Sequence, residues 1–135
     1  SLAASVKISD QGRRNISDAV SSLQIADGAL DQISQIGQRL GELAAQSANG
    51  ALSDEQRTAL NNEFTQLSQE AQRIASTTQF NGQNLLSGSS QTIQAGSDSQ
   101  STSQIQVQGS NATSLASSLS ALDIRSADSA RAALD

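Results

Sequence analysis

Apolar residues in the first third of the chain recur on a heptad. Ile16, Leu23, Leu30, Gly37 and Ala44 fall in one row, and Ala19, Ala26, Ile33 and Leu40 lie three residues after the first four. A seam held over about four heptads is what a helix presents to another helix. Val20, Ala29, Ile36 and Leu43 widen the stripe, which predicts packing against more than one partner. Val6 and Ile8 carry the pattern upstream, so the predicted helix spans 4–49. Gly12, Gly28, Gly37 and Gly41 interrupt it. Each costs about 1 kcal/mol against Ala in an isolated helix. Packing has to offset that, and close helix approach is expected at Gly37.

Asn49-Gly50 predicts a stop, because both residues tolerate the left-handed conformation of a helix C-cap. Ser53-Asp54-Glu55-Gln56 then reads as a capping box, with Asp54 and Glu55 at the positive end of the helix dipole. The second predicted helix spans 53–76, with a seam of Leu60, Phe64, Leu67, Ala71 and Ile74. So short a connection between two such helices predicts an antiparallel hairpin.

Asn81-Gly82 and Ser87-Gly88 are turn signals, and Leu85 and Leu86 between them are expected to be buried against the helices. Apolar and polar residues then alternate in Thr92-Ile93-Gln94-Ala95 and in Gln104-Ile105-Gln106-Val107-Gln108. They predict a β-hairpin over 91–108, with Gly96 to Gln100 between its strands and one face on the helices. Residues 109–120 are Ser-rich and read as loop. Residues 127–135 read as the start of a third helix capped by Ser126. Such a helix is too short to hold itself together, and the chain opens within helical pattern. The expectation is a fragment cut at both ends. The fold class is mainly α: an elongated rod of long antiparallel, coiled-coil-like helices with a small β-hairpin, forming a single unit over 1–135.

Composition narrows the function. Phe64 and Phe80 are the only aromatic residues among 135, so the core must be aliphatic, which suits thin rods. The net charge is −5 and no basic cluster exceeds Arg13-Arg14, which argues against nucleic acid. No apolar run approaches the ~18 residues of a membrane span, and the polar start is unlike a signal peptide. Cys and His are both absent. No disulfide framework, Ser-His-Asp or Cys-His arrangement can be built, and a zinc site would need carboxylates alone. No enzyme and no cofactor are expected.

Three blocks carry more information than the composition. They are Leu23-Gln24-Ile25-Ala26-Asp27-Gly28-Ala29-Leu30, Gln38-Arg39-Leu40-Gly41-Glu42-Leu43-Ala44-Ala45-Gln46-Ser47-Ala48-Asn49-Gly50, and Thr78-Gln79-Phe80-Asn81-Gly82-Gln83-Asn84-Leu85-Leu86. In residues, order and spacing they resemble bacterial flagellin. The stretch Leu119-Ser120-Ala121-Leu122-Asp123-Ile124-Arg125 is similar to the opening of that family's carboxy-terminal half. The resemblance implies the inner rod of a flagellar filament subunit, extracellular after export. Its parent would be a minimal flagellin or one lacking its variable outer domain. The implied partners are other flagellin subunits, the export chaperone and cap proteins of the flagellum, and the flagellin-sensing Toll-like receptor of animal hosts. The 91–108 hairpin would correspond to the element linked to supercoil switching.

The family's receptor epitope carries over onto Gln38, Arg39, Glu42, Leu43, Gln46 and Glu63. Arg39, Leu43 and Gln46 share one helix face, and Arg39 offers a planar fork of donors. Gly41 stands where many relatives carry a basic residue, which removes a possible ion pair. On the residues alone, Arg39 and Glu42 read as solvated charges, Leu43 as a core or filament-contact residue, and Glu63 as an exposed helix position. Two alternatives remain: a hook–filament junction protein of the same superfamily, and a generic coiled-coil interaction module, which predicts a homodimer.

Overall fold

The computed structural model describes residues 1–88, 91–96, 104–107, 111–120, 122, 124–125 and 127–134. Helix α1 runs Leu2–Ser47 and α2 runs Asp54–Thr77. Short strands β1, Gln79–Phe80, and β2, Gln83–Asn84, form one antiparallel hairpin; β3, Gln91–Gln94, and β4, Gln104–Val107, form another. Helices α3, Ala112–Ser120, and α4, Ala127–Leu134, complete the fold. It is the mainly α rod with small antiparallel strand pairs that the sequence pattern predicts. The expected hairpin turn over 97–100, residues 108–110 and the Ser126 cap lie outside the described residues.

The 46 residues of α1 reach about 69 Å at 1.5 Å per residue. Helix α2 lies antiparallel beside only the second half: Arg57 meets Ser47, Arg39 meets Glu63, and Ile33 packs with Ile74. Two apolar clusters fill this half. Near the closed end, Leu40, Leu43 and Ala44 pack with Phe64, Ile124 and Ala130. Further along, Ile33, Ile74 and Ala75 pack with Leu86, Ala112 and Ala116. Small Ala side chains let α3 and α4 approach closely, so a core with one buried aromatic ring still fills.

The capping box forms as the sequence indicates: Ser53 Oγ accepts from Gln56 N at 3.2 Å, and Gln56 Oε1 accepts from Ser53 N at 2.9 Å. The end of α1 differs from expectation. Its C-cap, Ala48, is right-handed (φ −72°, ψ −11°), and neither Asn49 nor Gly50 takes a positive φ. Arg57 supplies the donors instead, from Nε to Ser47 O at 3.0 Å and from Nη2 to Asn49 O at 2.9 Å. A cation at the negative end of a helix also suits the dipole. The second helix therefore caps the first.

Two further expectations change. Residues 112–120, read as loop, form α3. The signal was Asn111, whose Oδ1 accepts from Ser114 N at 3.1 Å, and the physical reason is burial of Ala112 and Ala116. The glycine that permits close approach is Gly12, not Gly37. A Cβ on Gly12 would lie 2.4 Å from Ala95 O, whereas one on Gly37 would meet nothing within 4 Å. Gly12 thus seats the β3–β4 hairpin on α1, where Asn15 Nδ2 also donates to Gln94 O at 2.7 Å. Asn81 (φ 51°) and Gly82 (φ 79°) both turn left-handed, as a tight two-residue hairpin requires.

Candidate functional site: the Arg39 face

Where α2 leaves α1 half covered, three charged side chains converge. Arg39 projects from the edge of the α1–α2 interface. Its Nε and Nη2 donate to Glu63 Oε1 across the helix gap at 3.1 and 2.9 Å. Its Nη1 donates to Glu42 Oε2, one turn along, at 3.0 Å. One guanidinium therefore joins two helices through carboxylates on either side. The hydrogen bonds to Glu42 and Glu63, with the Glu63 charge, raise the Arg39 pKa above its ordinary value. The side chains stay open to solvent: 43 % for Arg39, 45 % for Glu63 and 63 % for Glu42. Exposure screens the pairs. Their consequence is orientation: the guanidinium is directed between one acidic group on each helix.

Of the six residues the resemblance points to, five reach the surface. Gln38 and Gln46 are exposed on α1 beside Glu42, and Glu63 arrives from α2. Leu43 is not among them. Carried over with the epitope by the resemblance, it is 0 % exposed in the core with Phe64 and Ile124, one of the roles that the residues alone suggest. The i, i+4, i+7 face that it shares with Arg39 and Gln46 straddles the interface, and its middle member points inward.

The residues that fix this face went unread in the sequence. Arg57, 7 % exposed, holds the end of α1 to the start of α2. Ser47 Oγ donates to Ile124 O, and Asn61 Oδ1 accepts from Ile124 N at 3.0 Å. Both helices thus grip the backbone of residue 124 while its side chain enters the core. An Arg one turn inside a capped helix was the available signal for Arg57. Nothing local marks Ser47 or Asn61, whose partner lies more than 60 positions away.

A long two-helix rod with returning short helices and strand pairs defines a mainly α class of rod proteins. Comparison with known proteins makes the class specific. Residues 1–92 match the family profile described as the bacterial flagellin N-terminal helical region. Flagellin of Halalkalibacterium halodurans is 38 % identical over 136 residues, covering 99 % of this chain and 50 % of that protein. B-type flagellin of Pseudomonas aeruginosa is 43 % identical over 106 residues, covering 77 % of this chain and 22 % of the relative. The solved structure of FliC from Burkholderia pseudomallei superposes with a TM-score of 0.59 at 35 % identity, covering 77 % of this chain and 38 % of FliC. The chain belongs to the bacterial flagellin family. It spans half the length, or less, of these relatives.

Proposed function

We propose that this chain is the inner rod of a structural subunit of the extracellular flagellar filament. Beyond family membership, one observation carries the reading: the first half of α1 leaves an apolar row uncovered. Ile16, Val20 and Leu23, at i, i+4 and i+7, are 40 %, 48 % and 48 % exposed. A row of that kind on a single helix needs further helices to cover it. In the filament reading those come from the rest of the subunit and from neighbouring subunits. Export and capping proteins of the flagellum would handle the same chain before assembly. The test is to introduce Val20→Asp with Leu23→Asp into the full-length flagellin and image cells by electron microscopy. Loss of filaments with normal secretion of the subunit supports the reading; filaments of normal length contradict it. A hook–filament junction role has less support, since the relatives above are flagellins. A generic coiled-coil module leaves the family blocks without a cause.

A second reading rests on the Arg39 face. The presentation of Arg39 between Glu42 and Glu63, flanked by Gln38 and Gln46, supports recognition by the host Toll-like receptor for flagellin. Leu43 takes the part of a support beneath that face. A fixed guanidinium loses less entropy on binding than a free one.

A further inference from the structure

Two Asn-Gly steps lie in the chain, Asn49-Gly50 and Asn81-Gly82, and the fold treats them differently. At such a step no Cβ on the following residue shields its backbone nitrogen. That nitrogen can reach the Asn side-chain carbonyl carbon if the backbone between them can rotate.

At Asn49 rotation is opposed on every side. Asn49 N donates to Gln46 O at 3.1 Å, and Asn49 O accepts from Leu52 N at 3.3 Å and from Arg57 Nη2 at 2.9 Å. Asn49 Oδ1 accepts from Ala51 N at 3.0 Å. Swinging the Asn49-Gly50 peptide would break the bond to buried Arg57, and leaving such a group unpaired is costly.

Asn81 has none of this. Asn81 and Gly82 are exposed, and among the described residues the Asn81 side chain has no hydrogen-bond partner. The hairpin that holds it has two residue pairs, Gln79↔Asn84 and Phe80↔Gln83. It is anchored at its base, where Asn84 Nδ2 donates to Ser76 O at 2.7 Å and Leu85 N to Thr78 O at 3.1 Å, not at its tip. So short a ladder opens locally at little cost.

We propose that Asn81 is a site of spontaneous deamidation and isoaspartate formation in the folded subunit. The Gly82 nitrogen bonds to Asn81 Cγ and gives its proton to solvent. The Cγ–Nδ2 bond breaks and ammonia leaves, giving a succinimide. Water then opens the ring at either carbonyl, producing Asp or isoaspartate. The isoaspartate product adds a methylene to the main chain of a turn that tolerates no extra length. Either product places a carboxylate in the groove that Asn81 lines together with Asp18, Phe80 and Ile93. A long-lived filament without subunit turnover would accumulate this mark with age.

The test is to incubate the folded chain in mildly alkaline buffer, digest it with trypsin, and locate amide-to-acid conversion by tandem mass spectrometry. Isoaspartate is detected by isoaspartyl methyltransferase labelling. A parallel sample is held in urea. The expected result is conversion at Asn81 several-fold faster than at Asn49 in the folded chain, with the two rates converging in urea. Asn81→Gln should remove the methyltransferase signal from the tryptic peptide that holds residue 81 and leave the slower Asn49 signal. Conversion at Asn49 as fast as at Asn81 in the folded chain would overturn the proposal. So would an Asn81 that stays intact while the urea sample converts.

Discussion

Arg57 Nε sits 3.0 Å from the carbonyl oxygen of Ser47, so the second helix of the rod closes the end of the first. The same guanidinium reaches Asn49 O at 2.9 Å and Asp54 Oδ1 at 3.4 Å. Truncating it leaves the buried Ser47 carbonyl without its Arg57 donor and removes one of the two donors to Asn49 O. Arg57→Ala should therefore destabilise the chain by about 2–3 kcal/mol, the range for hydrogen bonds involving a charged group. Arg57→Lys should restore only part, since one ammonium cannot span both carbonyls. Urea unfolding followed by circular dichroism checks this. A change below about 0.5 kcal/mol in the Ala variant, the level of a plain surface substitution, would mean that the cap is dispensable.

Gly12 and Gly37 should respond oppositely to alanine. At Gly37 the space is open, so Gly37→Ala should stabilise the helix by about 1 kcal/mol through propensity alone. At Gly12 the new methyl meets the Ala95 carbonyl oxygen. The β3–β4 hairpin must lift from α1, breaking the Asn15–Gln94 hydrogen bond. Hydrogen exchange over residues 91–94 should accelerate in Gly12→Ala and stay unchanged in Gly37→Ala.

Leu43 and Phe64 should behave as core. Both are nearly inaccessible, at 0 % and 2 %, and they share one cluster. Leu43→Ala should cost about 2–5 kcal/mol and Phe64→Ala about 3–5 kcal/mol. Being in one cluster, they should not add. Thermal unfolding of the single and double variants measures the coupling. A Leu43→Ala variant as stable as the parent would return Leu43 to the surface.

Glu70 gives a pH signature. Arg73 Nε donates to its Oε2 at 2.8 Å, and the pairing lowers the Glu70 pKa below the usual carboxylate value. With the folded pKa depressed, the pair's small stabilisation is fully present above the unfolded pKa. It is lost as pH falls through the folded pKa. A carboxyl NMR titration should show the low value, and Arg73→Ala should return it to normal.

The long-range plan of the rod was legible because it rests on repetition. The seams through Leu23, Leu30 and Leu40, and through Leu60, Phe64 and Leu67, signal helices whatever else the chain does. The box at Ser53 and Gln56 is equally local, as all its atoms lie within four residues. Features set by distant partners were not legible. The Asn49-Gly50 stop looked like a left-handed cap because Arg57 is a tertiary donor. Residues 112–120 looked like loop because serine is an indifferent helix former, and only burial of Ala112 and Ala116 decides the matter. At the Arg39 face, family resemblance singled out six residues, five of which the fold brings to one surface. It could not separate Leu43 from its neighbours, because one helix face serves both surface and core where it meets α2.

The central claim about the candidate site is the second reading proposed above, that the Arg39–Glu42–Glu63 cluster is a recognition face. Its most direct test is binding of the folded chain to the purified flagellin receptor ectodomain, with Arg39→Ala in parallel. The account predicts measurable binding and a loss of about tenfold or more in the variant, the effect of about 1.4 kcal/mol expected of a charged anchor. Its circular dichroism should match the parent. Equal binding by the two proteins, or no binding by the well-folded parent, would contradict it.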